Sequence, residues 1–201
     1  EPRSAGAYGA AIIRNRDELK QWLKIWYTFK KIKNHNFTIS EFLNGRIFDT
    51  CLIYKNGKPI LSKVIEKKSY VLSNNALTGA GSTPETTSTV SNQRSKIITN
   101  YNLKVINKLN LKNNTLSNGI YHSTVRYDYK ARPCMTEINI GRFPMINTIF
   151  NNFGKTKLIN VYFDMLLNKK KLSKFKIDNQ KSGTVFTLRS LDHKPFFYKK
   201  K

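Results

Sequence analysis

The sequence predicts an α+β fold, an antiparallel sheet with helices packed against it. Three observations carry this. Apolar residues recur at steps of three and four over residues 16–32 and 92–112, the period of an amphipathic helix. Between and after those stretches the period falls to two, the mark of strands. Asn56-Gly57 joins two such runs, a strong signal for a tight hairpin and so for antiparallel pairing.

Taken in order, residues 1–10 are small and glycine-bearing and read as a loop. Asn15 can cap a helix, with Asp17 and Glu18 suited to its first turn. Leu19, Trp22, Leu23, Trp26, Phe29 and Ile32 then line one face. Residues 37–43 alternate and read as a strand ending at Asn44-Gly45. Residues 46–54 and 59–71 are the two arms of the hairpin, and 73–90, mostly Ser, Thr, Asn and Gly, read as a loop. The second helix places Ile97, Ile98, Tyr101, Val105, Ile106 and Leu109 on one face. Strands at 120–127 and 133–140 flank a turn at 128–132. Short apolar helices follow at 146–153 and 158–167, divided by Gly154. A last strand at 185–188 precedes a basic tail, and there is no internal repeat.

The chain has 201 residues, 39% hydrophobic and 12% aromatic, too apolar for disorder and long enough to bury a core. Lys+Arg is 36 against 12 for Asp+Glu, a formal net charge of +24. Clustered Lys and Arg would point to nucleic acid. Here they are dispersed, with short runs such as Lys30-Lys31 and Lys169 to Lys171, which argues against a nucleic-acid partner. No apolar run reaches the ~18 residues a membrane span needs, so no membrane partner is expected. Cys51 and Cys134 match no ligand spacing, which fits a reducing, cytoplasmic setting. His35, His122 and His193 form no ligand spacing either. The chain opens at Glu1 inside the glycine-bearing stretch and reads as a piece of a longer protein.

Three stretches carry chemistry. In Thr136-Glu137-Ile138-Asn139-Ile140-Gly141-Arg142-Phe143, Glu137 and Asn139 lie two apart on a strand and so share a face. A carboxylate beside an amide carbonyl is a hard oxygen site suited to Mg²⁺. Arg142 follows where the strand ends, placed to meet a phosphate oxygen. In the opening loop, Arg3, Ser4, Gly6 and Gly9 leave room for backbone N–H groups to close over a polyphosphate. In Ser40-Glu41-Phe42-Leu43-Asn44-Gly45-Arg46, main-chain groups at Phe42 and Leu43 can read the edge of a base while apolar side chains stack on it.

In this order the stretches resemble the C-terminal half of an ATP-grasp domain, and are similar to ATP-grasp proteins of the kind of the carbamoyl-phosphate synthetase large chain. The resemblance covers residues 1–170, with 171–201 a basic C-terminal segment; it also takes in Gly81-Ser82-Thr83-Pro84. It implies ATP and Mg²⁺ (or Mn²⁺) as cofactors, and a small carboxylate as substrate. The chemistry it implies is a carboxylate–amine or thiol ligase acting through an acyl phosphate. It makes Glu137 and Asn139 metal ligands, with Arg142 catalytic. It also has Arg3, Ser4, Gly6 and Gly9 hold phosphates and Glu41, Phe42 and Leu43 line the adenine. The N-terminal half of the fold would come from the remainder of the protein.

Three positions depart from the family pattern. Glu1 stands where a Lys or Arg is usual. Ile47 stands where a carboxylate holds the ribose, for which Asp49 is the substitute. Thr124 stands where a carboxylate or Gln is expected on the metal side. Two other readings stay open: a degenerate ATP-grasp module that binds nucleotide without turnover, and a basic RNA-binding or ribosome-associated protein.

Overall fold

The computed structural model describes residues 10–31, 37–70, 84–141, 143, 147–168, 174–178, 184–188 and 196–200. The chain divides into two units. One comprises 1–42 with 70–84, the other 43–69 with 85–201.

The first unit contains helix α1, Arg16–Lys30. Asn15 caps it as the sequence predicts: its side chain accepts from the N–H groups of Asp17 and Glu18 at 3.0 and 2.8 Å. Lys31 ends it in the left-handed conformation, φ 52°. Trp26, 2% exposed, lies edge-on to Trp22 with ring centroids 5.3 Å apart. Residues 37–43, expected as a strand, have no regular structure. Their alternation is real, but a strand needs a ladder partner, and Ile39 and Phe42 stand 80% and 53% exposed.

The second unit is a sheet with helices. Its strands are β1 Ile47–Lys55, β2 Lys58–Tyr70, β3 Pro84–Thr89, β4 Gly119–Tyr127 and β5 Pro133–Ile140, then β6 Lys176–Ile177, β7 Thr184–Leu188 and β8 Phe196–Lys200. The described strands form one sheet in the order β5-β4-β1-β2-β3-β7-β8, with β6 parallel to β2. The β1–β2 hairpin turns at Asn56 and Gly57, both at positive φ (49° and 77°), which is why Asn-Gly stands there.

Two expectations are corrected here. Residues 84–89, read as part of a loop, are strand β3: Thr is β-branched and suits a pleated surface, and Pro84 opens the strand, where no ladder N–H is needed. Residues 196–200, read as a basic tail, are strand β8, antiparallel to β7.

The helices are α2 Asn92–Asn113, α3 Asn147–Asn152 and α4 Leu158–Leu166. Helix α2 covers one sheet face through Ser95, Ile98, Thr99, Asn102 and Ile106. The predicted face was partly wrong, since Ile97 and Leu109 are 48% and 41% exposed. Polar residues take their place because the strands supply partners. Asn102 bonds Thr50 Oγ1 and Ser123 Oγ, and Thr99 Oγ1 meets Ser62 Oγ at 2.7 Å. Phe48, Val64, Val125 and Ile98 fill the apolar space beside them. On the opposite face, Phe150, Phe153, Leu158, Val161 and Met165 of the α3–α4 region cover Cys51, Ile53, Leu61, Ile65 and Ile120. Each such side chain contributes roughly 1.5–3 kcal/mol.

Candidate functional site

The strand register builds a second, polar region on the α3–α4 face. Asp49 pairs with Thr124 on one side and Ile65 on the other; Cys51 pairs with His122 and Lys63; Ile47 pairs with Arg126 and Lys67. Thr124 in turn pairs with Glu137, and His122 with Asn139. Partners across a ladder point to the same side. One face thus runs from an apolar end at Ile53 and Ile120, under the α3–α4 helices, to a polar end carrying Asp49, Lys67, His122, Thr124, Arg126, Glu137 and Asn139.

Glu137 and Asn139 share that face, as their spacing predicts. Asn139 Nδ2 donates to Glu137 Oε1 at 2.7 Å. Glu137 is exposed and makes no ion pair among the described residues. A bulge in the β4–β5 register sets Thr124 opposite Glu137 and Val125 opposite Met135, so Thr136 is the extra residue on β5. Thr136 Oγ1 bonds the Thr124 carbonyl at 3.2 Å.

Asp49 is 1% exposed. Lys67 Nζ lies 2.9 Å from its Oδ1, Thr124 Oγ1 donates to Oδ1 at 2.9 Å, and His122 Nε2 is 3.4 Å from Oδ2. Burial works to raise its pKa, but the Lys67 ammonium and then His122 outweigh burial and hold the carboxyl below the usual carboxylate range. A ribose hydroxyl needs an accessible oxygen, and Asp49 offers none. It serves instead to hold Lys67 and Thr124 in place.

The stretch 43–46 is held to the end of β4. Arg126 Nη1 donates to the Leu43 carbonyl at 2.6 Å, Gly45 N–H to the Tyr127 carbonyl at 3.0 Å, and Tyr127 N–H to the Arg46 carbonyl at 3.0 Å. A Cβ on Gly45 would sit 2.3 Å from the Tyr127 oxygen, so only glycine fits. Leu43 is half-buried, while Glu41 and Phe42 are exposed in the first unit. Arg3, Ser4, Gly6, Gly9 and Arg142 lie outside the described residues, as do 81–83.

Lys67, His122 and Arg126 were missed by the sequence reading. Each belongs to the face only through cross-strand register, which no window of sequence displays. A second polar cluster lies beneath the α3–α4 turn. Lys63 Nζ, fully buried, bonds the carbonyls of Phe150 and Phe153 at 2.8 and 2.6 Å and lies 3.3 Å from Asp178 Oδ2. Burial lowers its pKa, against the pull of Asp178. Cys51 beside it is free and buried, its thiol pKa pushed up by desolvation, so it is no nucleophile.

Comparison with solved structures places this architecture. The chain matches biotin carboxylase of Campylobacter jejuni, solved as a β-γ-ATP complex, with a TM-score of 0.64 at 10% identity, over 92% of this chain and 40% of that one. It matches the biotin carboxylase domain of Hydrogenobacter thermophilus 2-oxoglutarate carboxylase, solved with MgADP and bicarbonate. There the TM-score is 0.62 at 12% identity, over 92% of this chain and 40% of that one. L-amino acid ligase of Bacillus licheniformis gives a TM-score of 0.58 at 13% identity, over 88% of this chain and 43% of that one. The chain has an ATP-grasp-like fold. It spans about two fifths of the length of these ATP-grasp neighbours. No protein-family model matches the sequence, and no curated protein matches it.

The ATP-grasp likeness implies a divalent cation, and the donor set can be tested against it. Among the described residues no group of three or more His, Cys, Asp and Glu gathers to hold a metal. Glu137 with Asn139 nonetheless fits Mg²⁺, which takes one or two carboxylate or amide oxygens and fills its shell with water and phosphate. No helix is long and apolar enough to cross a membrane.

Proposed function

We propose that the chain is the nucleotide-binding part of an ATP- and Mg²⁺-dependent carboxylate–amine or thiol ligase. The observation that supports this best is the Glu137–Asn139 pair, side by side on the open face of β5 within an ATP-grasp-like sheet. Glu137 and Asn139 would hold the cation through their side-chain oxygens. When bound it would supply Lewis-acid stabilisation of the phosphate charge. Arg142 and the loop bearing Arg3, Ser4, Gly6 and Gly9 hold phosphates, while Glu41, Phe42 and Leu43 line the adenine. In the reaction, a carboxylate oxygen of a small acid attacks the γ-phosphorus and ADP leaves. An amine or thiol then attacks the acyl carbon and phosphate leaves. The Ser-Glu-Phe-Leu-x-Gly-Arg and Thr-Glu-Ile-Asn-x-Gly-Arg motifs resemble those of ligases similar to the carbamoyl-phosphate synthetase large chain, and support the reading in that direction. Its free cysteines suit a reducing, cytoplasmic setting.

A second reading, nucleotide binding without turnover, is favoured by Thr124. That residue brings no charge, and the neighbouring Asp49 is already neutralised by Lys67. Calorimetric titration of Mg-nucleotide into full-length wild type, Glu137→Gln and Thr124→Asp, with turnover measured alongside, separates the readings. Ligase function predicts wild-type turnover that Glu137→Gln abolishes, and tighter Mg-nucleotide binding in Thr124→Asp. Binding without turnover in wild type favours the second reading. Equal affinity and equal turnover in all three would leave β5 a structural strand.

A further inference from the structure

Arg126 belongs to none of the motifs, yet it bonds the stretch to which the adenine is assigned above. It lies near the end of β4, on the face shared with Thr124 and His122 and opposite Ile47. Its guanidinium holds the Leu43 carbonyl at 2.6 Å. Among the described residues nothing accepts from the Leu43 N–H. Residues 43–46 are thus held on β4 although they form no strand, with the carbonyl of residue 43 engaged and its N–H without an acceptor among the described residues.

We propose that Arg126 is a positioning residue that sets the base specificity of the nucleotide site. The inference rests on the ATP reading above. With its carbonyl engaged by a cation, Leu43 offers a base its donor in preference to its acceptor. N1 of adenine accepts a hydrogen bond; N1 of guanine carries a hydrogen and donates. Adenine is matched, whereas guanine sets donor against donor, and an unmatched buried donor costs more than a matched one gains. The acceptor that would accommodate guanine is the Leu43 carbonyl, and Arg126 engages it. Arginine suits the task because its planar fork presents several donors in a fixed geometry.

Titration of the full-length protein with non-hydrolysable ATP and GTP analogues, in excess Mg²⁺, reads this directly. Wild type is expected to prefer the ATP analogue. Arg126→Gln releases the carbonyl and narrows the ATP-to-GTP preference by about tenfold, the size of one hydrogen bond to a charged group. Arg126→Lys, which keeps a cation, recovers most of the preference. Thermal unfolding is recorded for each variant, and Arg126→Met replaces Arg126→Gln where the latter does not fold. An unchanged ATP-to-GTP ratio in a folded Arg126→Gln or Arg126→Met overturns the inference and leaves the ATP reading standing. A wild type that binds neither analogue overturns the ATP reading, and this inference with it.

Discussion

Asp178→Ala is expected to destabilise the second unit severely, because Asp178 is the counter-charge of a cation that has no access to water. Lys63 has 0% side-chain exposure and lies 3.3 Å from the Asp178 carboxylate. Breaking a buried pair by removing one partner costs about 3–5 kcal/mol. Lys63 keeps the Phe150 and Phe153 carbonyls at 2.8 and 2.6 Å and the Phe153 ring at 5.0 Å, so the low end applies. Asp178 also accepts from the N–H groups of Lys155 and Thr156 at 2.9 and 2.8 Å. Those donors are near the surface, and water replaces part of what they lose. Together the loss is about 4 kcal/mol, which lowers the melting temperature by about 8–16 °C in a chain of this size.

Thermal unfolding of wild type, Asp178→Ala, Lys63→Met and the double variant checks the reasoning. Once Lys63 is gone no buried charge awaits a partner, so the double variant should be more stable than the sum of the single losses by about 2 kcal/mol. The alkaline side gives a second readout. Burial depresses the Lys63 pKa below 10.5, so over that window the unfolded chain binds the extra proton. Wild type should therefore gain stability with pH up to about 10.5, relative to Lys63→Met. A drop under about 3 °C for Asp178→Ala, or strict additivity in the cycle, would refute the argument.

Two further outcomes are expected. Gly45→Ala forces a Cβ against the Tyr127 carbonyl 2.3 Å away, so the backbone of 43–46 must shift; a cost of about 2–3 kcal/mol should appear as a fall of about 5–10 °C in melting temperature, and a fall within error would show that the stretch relaxes freely. The carboxyls of Asp49 and Glu66 are both held below their ordinary range: burial opposes this, but Lys67 outweighs it at Asp49, and Arg46 and Lys68 at Glu66. Their contribution is complete above the unfolded pKa of about 4 and is lost as pH falls through the folded values; urea midpoints between pH 6 and 2 should fall mainly below pH 4, and a flat profile would refute the assignment.

Local signals were legible in the sequence. Asn15 caps α1, Asn56-Gly57 turns the first hairpin, and the spacing of Glu137 and Asn139 put them on one face. Each of these depends on residues within a few positions of one another. The misreadings share the opposite property. Residues 37–43 alternate like a strand but form no ladder with the described strands, and a ladder depends on tertiary pairing that no local window shows. Strand β3 was hidden because its Thr and Ser residues resemble the loop before them. Helix α2 turns Asn102 inward and Ile97 outward because Thr50 and Ser123, far away in sequence, satisfy the amide. Lys67, His122 and Arg126 carry no motif, and only register brings them beside Asp49 and Thr124.

The electrostatics of the polar end follow from that register. Two carboxylates, Asp49 and Glu137, sit on the face with Thr124 between them. Lys67 cancels Asp49 at 2.9 Å, and Arg126 is committed to a backbone carbonyl. Glu137 is left as the carboxylate on this face without a cationic partner among the described residues. One exposed carboxylate gives a strongly hydrated divalent ion little reason to shed water. On the ligase reading the nucleotide phosphates would supply further oxygens beside retained waters, so cation and nucleotide would bind as one unit. The calorimetric titration that tests Glu137→Gln, repeated with Mg²⁺ alone, reads this dependence directly. Substantial heat without nucleotide would mean that Asp49 is not neutralised as the geometry indicates. The substitution Thr124→Asp gains its meaning here too: it places a second open charge between the other two, at the position on the face that lacks one.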